Sequence, residues 1–138
     1  MVNKSIKGFT LVEIMLVVII IGALSAMIIP RLAGRGEQAK VKIAKSDIES
    51  NLPTALKLYE LDNGSFPTTA QGLSALRTKP STNPAAQNWN GPYLEREPID
   101  PWGHMYVYAS PGEHRPDYDL SSKAKDDSSD KDDIVNWQ

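Results

Sequence analysis

Two sets of acidic residues have the type and spacing to do chemistry, and they lie near opposite ends of the chain. Glu13 is the one charged residue in an otherwise apolar run from Phe9 to Ile29. A carboxylate in a hydrocarbon environment is costly, so Glu13 needs a cationic partner or a proton. Five aspartates lie within eight residues near the C-terminus: Asp126, Asp127, Asp130, Asp132 and Asp133. Clustered carboxylates are the hard oxygen ligands that Ca²⁺ takes, whereas Mg²⁺ demands stricter octahedral geometry.

A solvated acidic tail is the simpler interpretation of the aspartate cluster. The residues that follow it, Ile134-Val135-Asn136-Trp137, include apolar side chains that can dock back on a domain and close a loop. A docked acidic loop would repel itself without a cation. A calcium site and a solvated surface are therefore both open on this pattern alone.

Groups for catalysis by the chain itself do not stand out in the sequence. His104 and His114 have no metal-ligand spacing and no cysteine beside them. Ser121 and Ser122 lack the glycines of a nucleophile elbow, and no Walker phosphate-binding motif is present. We therefore expect a chain that is not an enzyme.

Length and composition restrict the fold and the partners. With 138 residues, the chain has room for one domain of ordinary size beside an apolar anchor. Its net charge of -2 gives no reason to expect nucleic acid as a partner. It contains no cysteine, so the fold has no disulfide support.

The apolar run near the N-terminus is long enough to cross a membrane only if it includes Glu13. From Phe9 to Ile29 a helix would extend about 31 Å, close to the ~30 Å thickness of a bilayer core. The uncharged part, which starts at Ile14, would reach only about 24 Å. A signal anchor with a stray acid near its interfacial end is the simpler alternative. A secretory signal peptide fits less well, because the run exceeds the usual apolar region of such peptides.

A long helix is expected to continue beyond this run. Pro30, Gly34 and Gly36 predict a kink or local unwinding where the apolar residues end. An amphipathic pattern with three- and four-residue steps then predicts a stripe that faces the core. Its members are Val41, Ala44, Ile48, Leu52, Ala55, Leu56 and Tyr59. Pro53 should bend this helix without ending it, and Gly64 is the expected C-terminal cap.

The middle of the chain is rich in loops. Prolines are spaced through residues 67–101 and leave one short helical segment, Thr69–Leu76. Trp89, Tyr93 and Trp102 are expected to pack between these loops and the long helix, because no basic residues cluster around them to suggest a ligand.

The last third of the chain predicts a small sheet. The segment His104–Ala109 alternates and is rich in β-forming residues, and Pro111–His114 has the composition of a turn. Pro116–Ser121 is the expected returning strand. Two or three antiparallel strands against one long helix make an α+β fold.

The residues at the start of the apolar run resemble a known processing signal. The segment Lys7-Gly8-Phe9-Thr10-Leu11-Val12-Glu13 is similar to the prepilin signal of type IV pilins and pseudopilins. Leader length, glycine, aromatic residue and the glutamate four residues later all agree with that signal. The resemblance implies that a prepilin peptidase cuts between Gly8 and Phe9 and N-methylates Phe9, using S-adenosylmethionine that belongs to the peptidase.

The same resemblance implies a role for Glu13 in assembly. The N-terminal amine of a neighbouring subunit would pair with its carboxylate inside a helical bundle and set the register between subunits. A contact within one helix, between Glu13 and the amine of its own chain, is the alternative that the sequence does not separate from it.

A wider resemblance covers nearly the whole chain. Three segments are similar to the major pseudopilin family of type II secretion: Leu61–Leu73, Gly91–Leu94 and Asp100–Gly103. The resemblance implies a type IV pilin-like fold, in which a long bent N-terminal helix, anchor plus amphipathic half, packs on a small antiparallel sheet with a C-terminal loop. The implied parts are a prepilin leader at residues 1–8, a transmembrane and assembly helix at 9–29, and a periplasmic head at 30–138.

The family resemblance also implies that the acidic loop binds Ca²⁺. Asp126 matches the first acid of the family's loop, and Asp132 and Asp133 match the later ones. The backbone carbonyls of Lys123 and Ser128 are the expected additional donors. The loop departs from the family pattern, which is longer and glycine-rich, and it carries lysines at positions 123, 125 and 131.

The implied function is that of a structural subunit. It would lie in the bacterial inner membrane as a single-pass protein, with its N-terminus in the cytoplasm and its head in the periplasm. It would contact membrane lipid before assembly and then form a homo-polymer, the periplasmic pseudopilus that drives type II secretion of folded exoproteins. Implied partners are the minor pseudopilins, the prepilin peptidase and the inner-membrane secretion platform. A type IV pilus or competence pilin is the alternative within this class, and a signal-anchored periplasmic binding domain is the alternative outside it.

Overall fold

The structure, a computed structural model, describes residues 8–125, 128 and 131–138, with the backbone alone at residues 29–33. The chain divides into two compact units, Met1–Gln38 and Ala39–Gln138. In the described residues, the first unit consists mainly of one apolar helix, and the second contains further helices and a three-stranded antiparallel sheet. Asp126, a predicted calcium ligand, lies outside the described residues.

The first helix, α1, extends over Leu11–Ser46. Its backbone is helical through Pro30, Gly34 and Gly36, so the local unwinding expected there is not found. Pro30 removes one backbone hydrogen bond, but the turns on either side continue the helix. A kink at this position stays a prediction.

A π-helical turn at Asp47–Asn51 joins α1 to the second helix, α2, at Leu52–Asn63. In this turn the N–H of Leu52 donates to the carbonyl oxygen of Asp47, five residues earlier. Pro53 follows directly, and it has no N–H for the carbonyl four residues before it. The wider turn therefore occurs where a regular α-helical pattern would lose a bond. As predicted, Pro53 does not end the helical path.

The inward side of these helices forms much of the core. Six residues of the predicted stripe are buried: Ala44, Ile48, Leu52, Ala55, Leu56 and Tyr59. Val41 is 39% exposed, so the buried stripe begins one turn later than the sequence predicts. The helix ends at Gly64, which has a φ of 81° and donates its N–H to the carbonyl oxygen of Glu60 at 2.7 Å. The predicted glycine cap is confirmed.

Aromatic residues of the loops pack against this core. The predicted helical segment is shorter than expected, because only Leu73–Leu76 form a 3₁₀ turn. Trp89 donates its ring N–H to the carbonyl oxygen of Ala75 at 2.8 Å, and its ring meets that of Tyr93 edge to face at 5.7 Å between centroids. The packing predicted for these two side chains is confirmed. Trp102 is half-buried, and the ammonium nitrogen of Lys40 lies 6.0 Å from its ring centroid.

The sheet consists of β1 (Val107–Ala109), β2 (Asp119–Ser122) and β3 (Ile134–Val135), antiparallel and in that order. Both β1 and β2 begin later than predicted. The N–H of His104 donates to Oδ1 of Asp100, and Met105 forms only an isolated bridge with Ile99, so β1 begins at Val107. The N–H of Tyr118 donates to Oδ1 of Asp117, and β2 begins at Asp119. The docking expected of the C-terminal residues is confirmed by β3, which pairs with β2.

Two tyrosine hydroxyls connect the sheet to the rest of the second unit. Tyr106 donates its hydroxyl to Oδ2 of Asp47 in the π turn at 2.8 Å, and Tyr108 donates to the carbonyl oxygen of Pro67 at 2.7 Å. Burial, together with the neighbouring Asp47 carboxylate, raises the pKa of Tyr106 above its ordinary value, so the phenol stays protonated as the donor. The π turn therefore also fixes one end of the sheet.

Candidate functional site

The signal region at the start of α1 is capped by its own side chains. The N–H of Glu13 donates to Oγ1 of Thr10 at 3.2 Å. In return, the backbone N–H and the hydroxyl of Thr10 donate to Oε2 of Glu13 at 2.8 and 3.0 Å. This reciprocal arrangement is a capping box, which satisfies donors that a helix N-terminus leaves unpaired. In the single chain, Glu13 thus has a local partner, which sequence reasoning did not identify.

The bond predicted to be cut, between Gly8 and Phe9, lies outside regular secondary structure and before the helix. Phe9 is 84% exposed. Among the described residues other than its chain neighbours, no heavy atom lies within 4 Å of the position that a Cβ atom on Gly8 would occupy. The described structure therefore does not itself require a glycine here, and any need for a small residue would come from the peptidase.

The apolar residues of α1 are uncovered. The segment Leu11–Ile28 is long and apolar enough to cross a membrane, and none of its side chains is buried in the chain. A helix that is apolar on every side and exposed on every side needs lipid or protein around it. This region fits the anchor and assembly helix expected from the sequence.

The ends of the acidic loop lie next to each other at the edge of the sheet. Lys123 follows β2, Asp133 precedes β3, and the ammonium nitrogen of Lys123 donates to Oδ2 of Asp133 at 2.8 Å. The other carboxylate oxygen of Asp133, Oδ1, is buried without a hydrogen-bond partner. Asp132 and Ser128 are exposed. Among the described residues, no group of three acidic or histidine side chains comes together to hold a metal ion.

Asp100 has a buried carboxylate that connects separate segments of the second unit, and sequence reasoning did not identify this role. Its Oδ1 accepts the backbone N–H groups of Trp102 and His104 at 3.0 and 2.8 Å, and its Oδ2 accepts the hydroxyl of Ser122 at 2.6 Å. The Ser122 hydroxyl oxygen in turn accepts the N–H of Ala124 at 3.1 Å. The available signal was an aspartate before a proline with a glycine two residues further on, a turn composition.

The histidines and serines form no nucleophilic arrangement in the described part of the chain. Ser122 donates its hydroxyl to Asp100, whereas a serine nucleophile would donate to a histidine acting as general base. His114 is bound through Nδ1 to Oδ2 of Asp119 at 2.8 Å. Desolvation raises the pKa of Asp119, but hydrogen bonds from His114, Arg115 and Glu113 outweigh it and hold that pKa below the usual range. Asp119 is therefore an ionised acceptor that orders a turn.

Comparisons with known proteins cover the chain from end to end. The family described as type II secretion system (T2SS), protein G, matches residues 31–137. The prokaryotic N-terminal methylation motif matches residues 3–29. The type II secretion system core protein G of Pseudomonas aeruginosa is 47% identical over 141 residues, which cover 99% of each chain. The protein of the same name from Escherichia coli strain K12 is 47% identical, over 95% of this chain and 90% of its own.

A solved structure agrees with the fold. The crystal structure of the major pseudopilin from the type 2 secretion system of enterohaemorrhagic Escherichia coli matches with a TM-score of 0.65 and 37% sequence identity. The match covers 78% of this chain and 95% of that chain. Both the α+β pilin-like fold and the resemblance drawn from the sequence are confirmed. The chain belongs to the type II secretion system protein G family.

Proposed function

We propose that this chain is the major structural subunit that polymerises into the periplasmic pseudopilus of a type II secretion system, which drives secretion of folded exoproteins. The observation that carries the proposal is the uncovered apolar helix Leu11–Ile28, in a chain whose second unit is compact by itself. Exposed apolar side chains on this scale must be covered, by lipid before assembly and by neighbouring subunits afterwards. A contact between two different surfaces of identical subunits propagates a helical filament when its rotation does not close into a ring.

The proposed location is the inner membrane, with the N-terminus in the cytoplasm and Ala39–Gln138 in the periplasm. The methylation motif and the single apolar helix support a membrane-anchored component. The proposed partners are copies of this chain, the minor pseudopilins, the prepilin peptidase and the inner-membrane secretion platform. Energy for assembly would come from another component, because the sequence contains no Walker motif.

The mass of the N-terminus tests this assignment most directly. We expect the protein recovered from membranes that contain the prepilin peptidase to begin at Phe9 and to carry one added methyl group. Gly8→Ala should still be cut, because alanine is nearly as small as glycine, whereas Gly8→Leu should accumulate as the uncut form, because the peptidase would have to accept a bulky side chain next to the bond that it cuts. Intact-mass spectrometry distinguishes the uncut chain, the cut chain, and the cut and methylated chain. If the leucine variant were cleaved before Phe9 and methylated to the same extent as the unmodified chain, this result would contradict the proposed cleavage site.

We also propose that the loop between Lys123 and Asp133 binds Ca²⁺. The buried, unpartnered Oδ1 of Asp133 fits an additional cation, and Asp132 beside it is exposed and available. Asp126 and the backbone carbonyls of Lys123 and Ser128 complete the proposed oxygen set. When bound, Ca²⁺ would supply the charge that lets the acidic loop dock without self-repulsion. The Lys123 ammonium competes for Asp133, which makes it the position to vary.

If Ca²⁺ binds at this site, it should raise the thermal stability of the full chain in detergent. Saturating Ca²⁺ should raise the melting temperature of the second unit by several degrees over the value in chelator, since a ligand at about 100 times its Kd adds roughly 2.7 kcal/mol. Asp126→Ala with Asp133→Ala should abolish this difference, and Lys123→Met should enlarge it by removing the competing ammonium. Differential scanning fluorimetry measures each increment. Identical melting curves of the unmodified chain with Ca²⁺ and with chelator would leave the aspartates as solvated surface.

A further inference from the structure

Asp119 organises the turn before β2 around a single carboxylate. Its two oxygens accept the backbone N–H groups of Glu113, His114 and Arg115 at 2.9 to 3.0 Å, and Oδ2 also contacts Nδ1 of the His114 ring at 2.8 Å. A Cβ atom on Gly112 would collide with Asp119 Oδ1 and with the carbonyl oxygen of Arg115. The glycine thus admits the carboxylate, and the carboxylate fixes the His114 ring in one orientation.

The fixed imidazole supports the C-terminus of the chain. The ring of Trp137 stacks on the ring of His114, with 4.1 Å between centroids and 2° between planes. We call Asp119, His114 and Trp137 the C-terminal clasp. Asn136 attaches the same segment to β2, because it exchanges hydrogen bonds with both backbone groups of Leu120 and donates to the carbonyl oxygen of Tyr118.

Apart from these contacts, β3 is held by its pairing with β2 and by Ile134, which packs against the core. The strand contains two residues, which pair with Ser121 and Ser122 of β2. So short an edge strand is marginal by its backbone bonds alone. Asp133 directly precedes β3, so the position of that strand also decides where the Asp133 carboxylate lies. A cleft of about 400 Å³ is lined by both His114 and Trp137 of the clasp and by Lys123 and Asp133 at the loop ends.

We propose that the C-terminal clasp positions one end of the acidic loop, the segment between Lys123 and Asp133, for cation binding. By holding β3 in place, the clasp keeps Asp133 beside the Lys123 end of that loop. This inference rests on the calcium site proposed above. Fixing the two ends of a loop in advance removes part of the entropy that cation binding would otherwise cost. Coupling of this kind is reciprocal, so bound Ca²⁺ also favours the closed clasp.

The test uses the full chain in detergent with His114→Ala, which removes the ring. In the absence of metal, amide hydrogen exchange at residues 134–136 should be at least about fivefold faster than in the unmodified chain. The Kd for Ca²⁺, measured by isothermal titration calorimetry with CaCl₂ as the probe, should rise about fivefold or more, at the lower end of ordinary coupling between sites. His114→Phe keeps a flat ring for Trp137 but loses the bond to Asp119. Its Kd for Ca²⁺ should therefore lie between those of the unmodified chain and the His114→Ala variant.

Glu113→Ala is the matched control, because Glu113 is exposed in the same turn and contributes to Asp119 through its backbone N–H. Its Kd for Ca²⁺ and its exchange at residues 134–136 should stay within about twofold of the unmodified values. Unchanged Kd values in both His114 variants, with calcium binding of the parent chain intact, would overturn the positioning role alone. Absence of calcium binding by the parent chain would instead reject the proposed site and this inference with it.

Discussion

Replacing Glu13 by valine should leave the chain in the membrane and prevent it from assembling into filaments. Valine removes the one charge in the apolar run, so insertion becomes easier. In the assembly role expected of Glu13, its carboxylate would pair with the ammonium group of a neighbouring Phe9, and valine cannot make this pair. Removal of one partner leaves the other charge buried, at a cost of about 3–5 kcal/mol, so sheared filaments should fall by more than about tenfold. Membrane fractionation and filament immunoblots measure the two effects separately.

The capping box makes a sharper control possible, because Glu13 also contacts Thr10 of its own chain. Glu13→Gln keeps an oxygen that can accept the Thr10 N–H but has no charge for an ammonium group. Thr10→Val removes the hydroxyl and leaves the Glu13 carboxylate in place. If Glu13 acts between subunits, the glutamine variant should lose filaments and the Thr10 variant should keep them. The reverse pattern would show that the glutamate serves mainly as a helix cap.

Replacing Asp100 by alanine should destabilise the second unit more than any substitution of an exposed acid. The side chain is buried, and three donors depend on it: the N–H groups of Trp102 and His104 and the hydroxyl of Ser122. Buried hydrogen bonds to a charged group contribute about 1.5–3 kcal/mol, and their loss leaves donors unpaired, so we expect a loss of about 3 kcal/mol. In a unit of this size the melting temperature should fall by roughly 10 °C or more.

Glu97→Ala controls for removal of an acid from the same loop, because Glu97 is exposed. Its melting temperature should stay within about 2 °C of the parent value. Asp100→Asn retains one oxygen acceptor and should lie between the two variants. Tryptophan fluorescence of the full chain in detergent, recorded with chelator present, follows the transition without a contribution from Ca²⁺. Equal melting temperatures for the Asp100→Ala and Glu97→Ala variants would contradict the role inferred for the buried carboxylate.

The elements that depend on local pattern were predictable from the sequence. The three- and four-residue spacing of apolar residues marks the buried stripe because that spacing follows directly from helix geometry. Gly64 marks the helix end because a left-handed cap favours glycine over other residues. The prepilin-like segment before Glu13 was equally readable, since its residues are consecutive.

Features that depend on distant contacts were not predictable in the same way. Asp100 and Ser122 are 22 residues apart, and the turn composition around Asp100 does not show which distant hydroxyl this aspartate binds. The start of the first strand was misplaced because the Asp100 side chain accepts the N–H of His104, which a β-rich pattern alone assigns to a strand. The π turn before Pro53 depends on how the chain accommodates a missing N–H, which has more than one geometric solution.

The capping box bears on whether α1 can form before the leader is removed. Both of its members, Thr10 and Glu13, lie on the C-terminal side of the proposed cut after Gly8. Loss of the leader would therefore remove none of the groups that begin α1, and the helix would not have to form again after processing. Maturation would change only what precedes the start of the helix: the leader peptide is replaced by the methylated amine of Phe9. The precursor and the mature subunit would thus share the same membrane-embedded helix. The new amine would be the feature by which the assembly machinery distinguishes the mature subunit from the precursor.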